Sequence, residues 1–205
     1  MKWFILGLAI LLFLAVFQAP AFLVISEAPV RADAVVLFAG GEKGSRDKEA
    51  DQLLREGFAD YLINPATGQI KKRGPDGRLV RLDLKNPVAV SNPSKQLNQQ
   101  NQKKWFVENT HNEISEAKRL MENLGLHTAL LLSSPYHMRR IKYIAESVFL
   151  GTGNVRFKLY FVATPHKTSH LKSWIPNIHD LTLILMEYPK IFWFFIYSNF
   201  YRATA

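Results

Sequence analysis

The sequence feature that most constrains the fold lies near the start of the chain. It is the order strand, glycine turn, helix, strand. Ala34 to Ala39 is a continuous apolar run, which is typical of a strand buried on both faces of a parallel sheet, and Gly40-Gly41 ends it. Apolar residues then recur at helical spacing from Arg46 to Glu56, with Gly57 placed to end that helix. Tyr61 to Ile63 predicts a second strand. The order predicts a βαβ unit, in which two parallel strands are joined by a right-handed crossover.

The same alternation returns in the second half of the chain. His111 to Leu124 predicts a helix, Thr128 to Leu132 a buried strand, and Ser134-Pro135 the start of a further helix. Apolar and polar residues alternate over 155–161, as in a half-exposed edge strand. We therefore predict an α/β domain over residues 32–180, a Rossmann-like three-layer sandwich with a mostly parallel sheet, preceded by one N-terminal transmembrane helix.

A basic insertion at about residues 66–107 separates the two halves. Gln69 to Arg73 and Arg78 to Leu84 flank the turn sequence Gly74-Pro75-Asp76-Gly77 and predict a surface hairpin, and Ser94 to Lys104 predicts a polar loop or lid. The insertion holds nine Lys or Arg against two Asp, within a chain whose formal net charge is +9. Such a block favours anionic partners, namely lipid headgroups, a phosphorylated ligand or nucleic acid; a solvated loop is the alternative.

Residues 1–25 predict a membrane anchor. No charged residue occurs from Trp3 to Ile25, and a helix of this length spans a hydrocarbon core of about 30 Å. Lys2 orients the amino end towards the cytoplasm. We therefore expect a single-pass protein of the inner (cytoplasmic) membrane, with membrane lipid as a partner and its folded domain on the periplasmic, extracytoplasmic side. A cleaved signal peptide is the alternative, because Ala19-Pro20-Ala21 resembles a cleavage site.

Residues 181–205 predict an aromatic C-terminal helix. Glu187, Pro189 and Lys190 interrupt its apolar run, which argues against a second membrane span. A helix that packs on the domain, or one that lies against the bilayer surface, fits the pattern.

Thiol and metal chemistry find no support in the sequence. The chain has no cysteine, which excludes disulfides, thiolate metal sites and a cysteine nucleophile. His166 and His170 lie four residues apart without a nearby carboxylate motif, so we predict no metal site there. The pattern identifies no cofactor.

Three segments stand where a parallel sheet binds its ligands, beyond the carboxyl ends of strands and at the starts of helices. They are Gly40 to Arg46, Asn109 to Glu113 and Ser133 to Arg140. We expect the functional site to be built from these segments.

In these segments the chain resembles bacterial proteins of the YdcF/SanA/ElyC type, a domain of unknown function. The resemblance spans about Ala32 to Val162 and is most specific at the motif Tyr-His-Met-x-Arg. The shared elements are Ala32 to Leu37 with Gly40-Gly41, Asn109-Thr110 with Glu113, and Ser134 to Arg140. The chain departs from the family pattern at Asn64 to Gly68, where the family has Ser-Gly-Gly, and at Val107, where it has Ser. The resemblance implies an anchored envelope protein linked to cell-wall or surface-polysaccharide assembly.

Several candidate residues have a structural interpretation beside a functional one. Thr110 and Glu113 fit a capping box, and Ser134 fits an N-cap in front of a proline. His137 and Arg139 put positive charge in the first turns of a helix, where it opposes the helix dipole. A bound anion accounts for that placement, whereas solvation is sufficient for Arg140.

From these residues we predict a phosphate-binding site. Gly40-Gly41 cradle the phosphate, Arg46 and Arg139 neutralise it, and Asn109 and His137 orient it. His137 is the candidate catalytic acid or base, because the pKa of an ordinary histidine lies near neutrality. The remaining predicted ligand-binding residues are Thr110, Glu113, Ser134 and Tyr136.

Three functional hypotheses follow. The first is an anchored envelope protein that binds a phosphorylated ligand, either an isoprenoid-phosphate carrier or a nucleotide-like group, and that hydrolyses or transfers a phosphate ester if it is an enzyme. The second is a non-enzymatic envelope assembly factor whose basic hairpin and aromatic helix hold partner proteins or lipid. The third is a nucleotide-cofactor-dependent transferase, which the absence of Gly-x-Gly-x-x-Gly spacing disfavours. An extracytoplasmic location argues against nucleic acid as a partner.

Overall fold

The elements of the fold alternate between strand and helix. The computed structural model describes residues 18–39, 44–82, 109–150, 157–165 and 178–203, with positions 3 and 7. Residues 18–23 are helical. The later elements are β1 (Ala34–Leu37), α1 (Ser45–Arg55), β2 (Tyr61–Asn64), β3 (Gln69–Arg73), β4 (Leu79–Leu82), α2 (Asn109–Leu124), β5 (Thr128–Ser133), a 3₁₀ turn (Pro135–His137), α3 (Met138–Leu150), β6 (Lys158–Ala163) and α4 (Ile178–Ala203). The predicted loop or lid Ser94 to Lys104 and the pair His166 and His170 lie outside the described residues.

The six strands form one sheet in the order β4-β3-β2-β1-β5-β6. β2, β1, β5 and β6 run parallel, whereas β3 is antiparallel to both β2 and β4. The chain order reverses at β1, which has β2 on one side and β5 on the other. This mixed α/β arrangement with a mostly parallel sheet is consistent with a Rossmann-like fold, and it confirms the predicted sheet.

The predicted hairpin is present, and it extends the main sheet. β3 and β4 pair antiparallel, and the turn between them closes through a hydrogen bond from the Gly77 backbone N–H to the Gly74 carbonyl oxygen at 3.0 Å. Ile70 on β3 is buried in the same core as Val36 of β1, while Val80 on β4 is exposed. The first part of the basic insertion therefore belongs to the sheet.

Helices cover both faces of the sheet. Val35 and Leu130 face one side, where they pack against Leu54 of α1. Val36 and Leu131 face the other side, which is covered by α2, α3 and α4. Because successive residues of a strand point to opposite faces, a strand covered on both sides is apolar throughout, as β1 and β5 are.

Glycines end α1 and α2 and return the chain to the sheet. Gly57 and Gly125 have φ of +83° and +66°, a conformation that a side chain disfavours. After α1, the Gly57 and Phe58 N–H groups donate to the carbonyl oxygens of Leu54 and Leu53. This is a Schellman motif, and the predicted helix end at Gly57 is confirmed.

The chain just before β1 covers the free edge of β6. The Ala163 N–H donates to Ser26 Oγ at 3.1 Å, and the Glu27 N–H donates to the Phe161 carbonyl oxygen at 2.7 Å. β5 occupies the other side of β6, so β6 is an edge strand, as its alternating pattern predicts. Residues 26 and 27 thereby supply partners to backbone groups that an edge strand otherwise leaves open.

The C-terminal helix α4 packs on the domain. Ile184 and Ile191 are buried against Leu23 and Tyr136, and Phe194 and Tyr197 enter the core on the α2 and α3 side of the sheet. Within the part of the chain that the structure describes, no helix combines the length and apolar character that crossing a membrane requires.

Candidate functional site

The carboxyl ends of β1 and β5 lie side by side at the point where the chain order reverses. The two strands are in register up to Leu37 and Leu132, and the Phe38 N–H donates to the Leu132 carbonyl oxygen at 3.2 Å. In an open parallel sheet, ligands bind in the crevice at this switch point. The chain after β1, the start of α2 and the chain after β5 meet here.

Arg46, from the start of α1, is buried at this switch point and joins the two strand ends. Its Nη1 donates to the Phe38 carbonyl oxygen at 3.0 Å, and its Nη2 donates to the Ser134 hydroxyl. The side chain is buried, with a relative exposure of 4% for the residue. Because a guanidinium leaves water at a high cost unless its N–H groups are paired, these contacts are what retain the charge in the fold.

Glu113 reaches the same point from α2. Its Oε2 accepts a hydrogen bond from the Ala39 N–H at 3.3 Å, directly after β1. Burial raises the pKa of Glu113 above its ordinary value, and the Ala39 hydrogen bond and the charges of Arg140 and Arg46 oppose that rise without cancelling it. The carboxyl group is therefore held where both arginine charges act on it.

A second buried arginine, Arg140, connects three helices. Its Nε donates to Glu187 Oε2 of α4 at 2.7 Å, and its Nη1 donates to Thr110 Oγ1 of α2 at 2.6 Å. Glu187 is completely buried, and its Oε1 also lies 3.0 Å from His137 Nδ1 and 2.7 Å from Lys190 Nζ. We call Arg46, Thr110, Glu113, Ser134, His137, Arg140, Glu187 and Lys190 the arginine cluster.

The arginine cluster carries excess positive charge. Burial alone raises the pKa of Glu187, but hydrogen bonds from His137 and Arg140 and their charges bring that pKa well below its ordinary range. The Glu187 carboxylate is therefore ionised at neutral pH, and it faces the cations Arg140 and Lys190. With Arg46 opposite Glu113, the cations outnumber the carboxylates, which favours an anion.

The interpretation of Thr110 and Glu113 as a capping box is wrong. Thr110 lies inside α2, which includes Asn109, so it does not occupy the cap position. Its hydroxyl accepts from Arg140, and the Glu113 carboxylate accepts from the Ala39 N–H, so both side chains bind other elements. Neither side chain caps the free N–H groups at the start of its own helix.

Ser134 occupies the predicted N-cap position without performing the capping contact. Its backbone is extended and Pro135 follows at the first position of the 3₁₀ turn, but its side chain makes no capping hydrogen bond. The hydroxyl accepts from Arg46 instead. The predicted position is confirmed, and the side chain belongs to the arginine cluster.

Other predicted site residues lie elsewhere. Gly40 and Gly41 fall outside the described residues. Asn109 is exposed at the first described position of α2, and Tyr136 is buried against Leu23, Ile184 and Ile191. Arg139 turns away from the arginine cluster: its Nε donates to the Phe22 carbonyl oxygen at 2.6 Å, and its guanidinium carbon lies 4.6 Å from the Phe22 ring centroid.

The sequence interpretation missed Arg140, Glu187 and Lys190. Arg140, with a relative exposure of 7%, is buried rather than solvated. Its signal was present in the motif Tyr-His-Met-x-Arg, whose arginine falls on Arg140 and not on Arg139. Glu187 also left a signal, since it is the single carboxylate in the apolar, aromatic stretch 181–205 and a buried carboxylate requires a partner.

One buried hydroxyl beside the cluster has no hydrogen-bond partner among the described residues. Thr164 follows β6, and its backbone N–H donates to the Ser133 carbonyl oxygen at 2.8 Å, which places it next to Ser134. Its Oγ1 is buried and unpaired within that part of the chain. Buried polar groups are normally satisfied, so this hydroxyl is available to a ligand or to water.

The chain was compared with known proteins, and no family model, curated protein or solved structure matches it. The resemblance to YdcF-type proteins stays a prediction from short motifs. The geometry of the arginine cluster carries the functional proposal.

We expect Glu113→Gln to raise the free energy of unfolding at pH 7. The raised pKa means that folding disfavours the ionised carboxylate, so the wild type gains stability as the pH falls through that pKa towards about 4.3, the ordinary value for glutamate. The advantage of the glutamine variant should therefore vanish below about pH 4. Urea unfolding of full-length protein in mild detergent, across this pH range, measures the difference.

The matched control is Glu122→Gln on the same helix, whose partly exposed side chain lies 3.9 Å from Lys118. Its effect should stay within about 0.5 kcal/mol at every pH, as for ordinary surface changes. A Glu113→Gln variant less stable than the wild type at pH 7 contradicts the expectation, because the arginine charges then outweigh burial.

Proposed function

We propose that this protein is a membrane-anchored envelope protein that binds a phosphorylated ligand, an isoprenoid-phosphate carrier or a nucleotide-like group, at the arginine cluster. The observation that carries the proposal is Arg46, a buried cation at the switch point of the sheet, bonded to the chain after both β1 and β5. A guanidinium matches the oxygens of a phosphate with a planar set of N–H donors, and a switch point is where such sheets hold their ligands. The ligand is proposed to serve cell-wall or surface-polysaccharide biogenesis, as the family resemblance implies.

Three further features support an anion at this position. The cations of the arginine cluster outnumber its carboxylates, and Lys190, whose side chain is 45% exposed, gives the cluster a positive group that reaches solvent. The buried Thr164 hydroxyl is unpaired among the described residues, next to Ser134. In the sequence, Gly40 and Gly41 directly follow Ala39, whose N–H donates to Glu113.

If the ligand is turned over, His137 is the candidate acid or base for phosphate-ester hydrolysis or transfer. Its Nδ1 lies 3.0 Å from Glu187 Oε1, so a buried carboxylate orients the ring. A histidine oriented by a carboxylate through one nitrogen keeps the other available for proton transfer. In this role Glu187 and Arg140 are positioning residues.

Membrane anchoring is the second part of the proposal. It is supported by the uncharged apolar residues 3–25 and by Lys2 before them. The folded domain is proposed to lie on the periplasmic, extracytoplasmic side.

Native mass spectrometry of full-length protein, extracted gently from membranes, tests ligand binding. We expect a discrete added mass that releases phosphate-containing fragments on activation, either as extracted or after incubation with inorganic pyrophosphate. His137→Ala should keep the added mass, since the phosphate is neutralised by the arginines. No added mass under either condition, or an added mass without phosphorus, contradicts the proposal.

A non-enzymatic assembly factor is the second candidate, and the basic hairpin favours it. Lys72, Arg78 and Arg81 are exposed on β3, the turn and β4. Because β3 and β4 belong to the sheet, the test replaces these charges instead of deleting the hairpin. Loss of envelope function in Lys72→Ser/Arg78→Ser/Arg81→Ser, with function retained in Arg46→Met, supports this candidate over the first.

A further inference from the structure

The outward face of α4 is apolar over residues 185–196. Its exposed large side chains are Leu185, Met186, Phe192, Trp193 and Phe195, with relative exposures between 41% and 67%. At about 100° per residue, four of them, Leu185, Met186, Phe192 and Trp193, lie on the side of the helix away from Glu187. A helix on a protein surface normally turns charged or polar residues outward, and one that is apolar on all sides is normally covered.

The end of the N-terminal apolar segment lies against this helix. The Tyr188 hydroxyl donates to the Ala19 carbonyl oxygen at 2.7 Å, and the Tyr188 ring stacks on Phe22 with centroids 6.0 Å apart. Leu23 is fully buried against Ile184 and Ile191. Residues 19–23, at the end of the uncharged segment, therefore contact the folded domain at α4, and Tyr143 of α3 packs against the same cluster.

Cationic groups border the apolar face. Arg139 donates to the Phe22 carbonyl oxygen and stands over its ring, and Lys190 projects from α4 with its side chain 45% exposed. Aromatic rings beside arginine and lysine are the composition that settles at the boundary between hydrocarbon and headgroups. An acidic protein surface would also pair with these charges but would not cover four apolar side chains.

We propose that the outward face of α4 lies in the interface of the bilayer, with Phe192 and Trp193 inserted at headgroup level. The inference rests on the membrane anchor of the proposed function, since the bilayer is the occupant to which residues 3–25 lead. Glu187 projects from the same helix to the arginine cluster. The ligand site is thereby held about one helix diameter, roughly 10 Å, from the membrane surface.

Spin labelling tests this orientation, and the cysteine-free chain makes single labels specific. Labels at Phe192→Cys and Met186→Cys report on the outward face, and a label at Arg78→Cys, whose native side chain is 87% exposed at the hairpin turn, is the control. Full-length protein is reconstituted into vesicles of phosphatidylcholine and phosphatidylglycerol. Power saturation then measures collision of each label with oxygen and with a water-soluble nickel chelate.

We expect the labels at 192 and 186 to collide freely with oxygen and to be protected at least tenfold from nickel relative to the label at 78. Nickel access equal to that at 78 overturns the proposal. Protection from both reagents also overturns it, because protein then covers the face. Dipolar broadening between labels identifies that cover as a second copy, and its absence identifies residues 3–17 of the same chain or another protein.

The same samples are tested for binding of inorganic pyrophosphate. If the sample binds pyrophosphate but the labels at 186 and 192 are accessible to nickel, the ligand site is supported and the proposed orientation of α4 is contradicted. Labels that are protected from nickel, in a sample that does not bind pyrophosphate, support the orientation of α4 and contradict the ligand site. The two proposals therefore fail separately.

Discussion

Glu187→Ala is expected to lower the free energy of unfolding by about 3–5 kcal/mol, the usual cost of leaving a buried charge unpaired. Glu187 is completely buried and holds Arg140 at 2.7 Å, and Arg140 itself is 7% exposed. Removing the carboxylate leaves the guanidinium in a poorly solvated position, with Thr110 Oγ1 as a neutral partner. It also releases His137 and Lys190 from their common acceptor.

Urea unfolding of the full-length protein in mild detergent measures this cost. Glu146→Ala on α3 is the control, since its partly exposed carboxylate lies 3.5 Å from Lys142 and should contribute at most about 1 kcal/mol. The double variant Glu187→Leu/Arg140→Met should recover much of the stability, because it removes both buried charges. A Glu187→Ala variant that loses less than about 1 kcal/mol shows that Arg140 finds water, contrary to the expectation.

The sign of the pH dependence follows from the lowered pKa of Glu187. Its ionised form stabilises the fold at every pH above about 4.3, the ordinary value for an unfolded glutamate. That contribution is lost as the pH falls from there towards the lower pKa of the folded state. The difference between wild type and Glu187→Ala should shrink as the pH falls below about 4.3.

Arg46→Met is expected to weaken binding of inorganic pyrophosphate by about 30-fold or more. Truncating one partner of a buried charged contact costs about 2–5 kcal/mol, and each 1.4 kcal/mol is a factor of ten in affinity. Arg46→Lys should fall in between, because an ammonium keeps the charge but does not reproduce the paired contacts with Phe38 and Ser134. Calorimetric titration of full-length protein measures all three affinities.

The matched control is Arg119→Met. Arg119 lies on α2 and pairs with Glu116 at 2.6 Å, with a partly exposed side chain. It should leave pyrophosphate affinity unchanged at the same ionic strength. Urea unfolding of each variant establishes that the folded protein is being titrated. Equal affinity in wild type and Arg46→Met removes Arg46 from the ligand site.

Much of the fold could be predicted because its signals are local. β1 and β5 are continuously apolar, which identifies strands covered on both faces, and Gly57 supplies the positive φ that ends α1. The pairing of β3 with β2 could not be predicted in the same way. A hairpin turn is encoded in its own residues, whereas the free sheet edge that it joins is set by the strand order of the whole domain.

The sequence predicted where in the fold the candidate site lies, but it predicted only some of the residues that form it. Arg46 and Ser134 follow neighbouring strands, so the topology brings them together. Arg139 and Arg140 differ by about 100° around α3, and the 3₁₀ turn before that helix decides which of them points inward. The pairing of Arg140 with Glu187 spans 47 positions in sequence, and no local pattern records it.

The cover that residues 26 and 27 give to β6 has a consequence for how the folded domain avoids aggregation. Ser26 and Glu27 occupy backbone groups of the outermost parallel strand, which would otherwise be a template for strands of other molecules. A chain shortened to begin after Val30 loses these two hydrogen bonds to β6 together with the apolar segment. Such a chain should form intermolecular β-aggregates although it lacks the most hydrophobic part of the sequence. The same two hydrogen bonds also attach the domain to its N-terminal segment through the sheet edge, in addition to the contacts of Ala19, Phe22 and Leu23 with the helices.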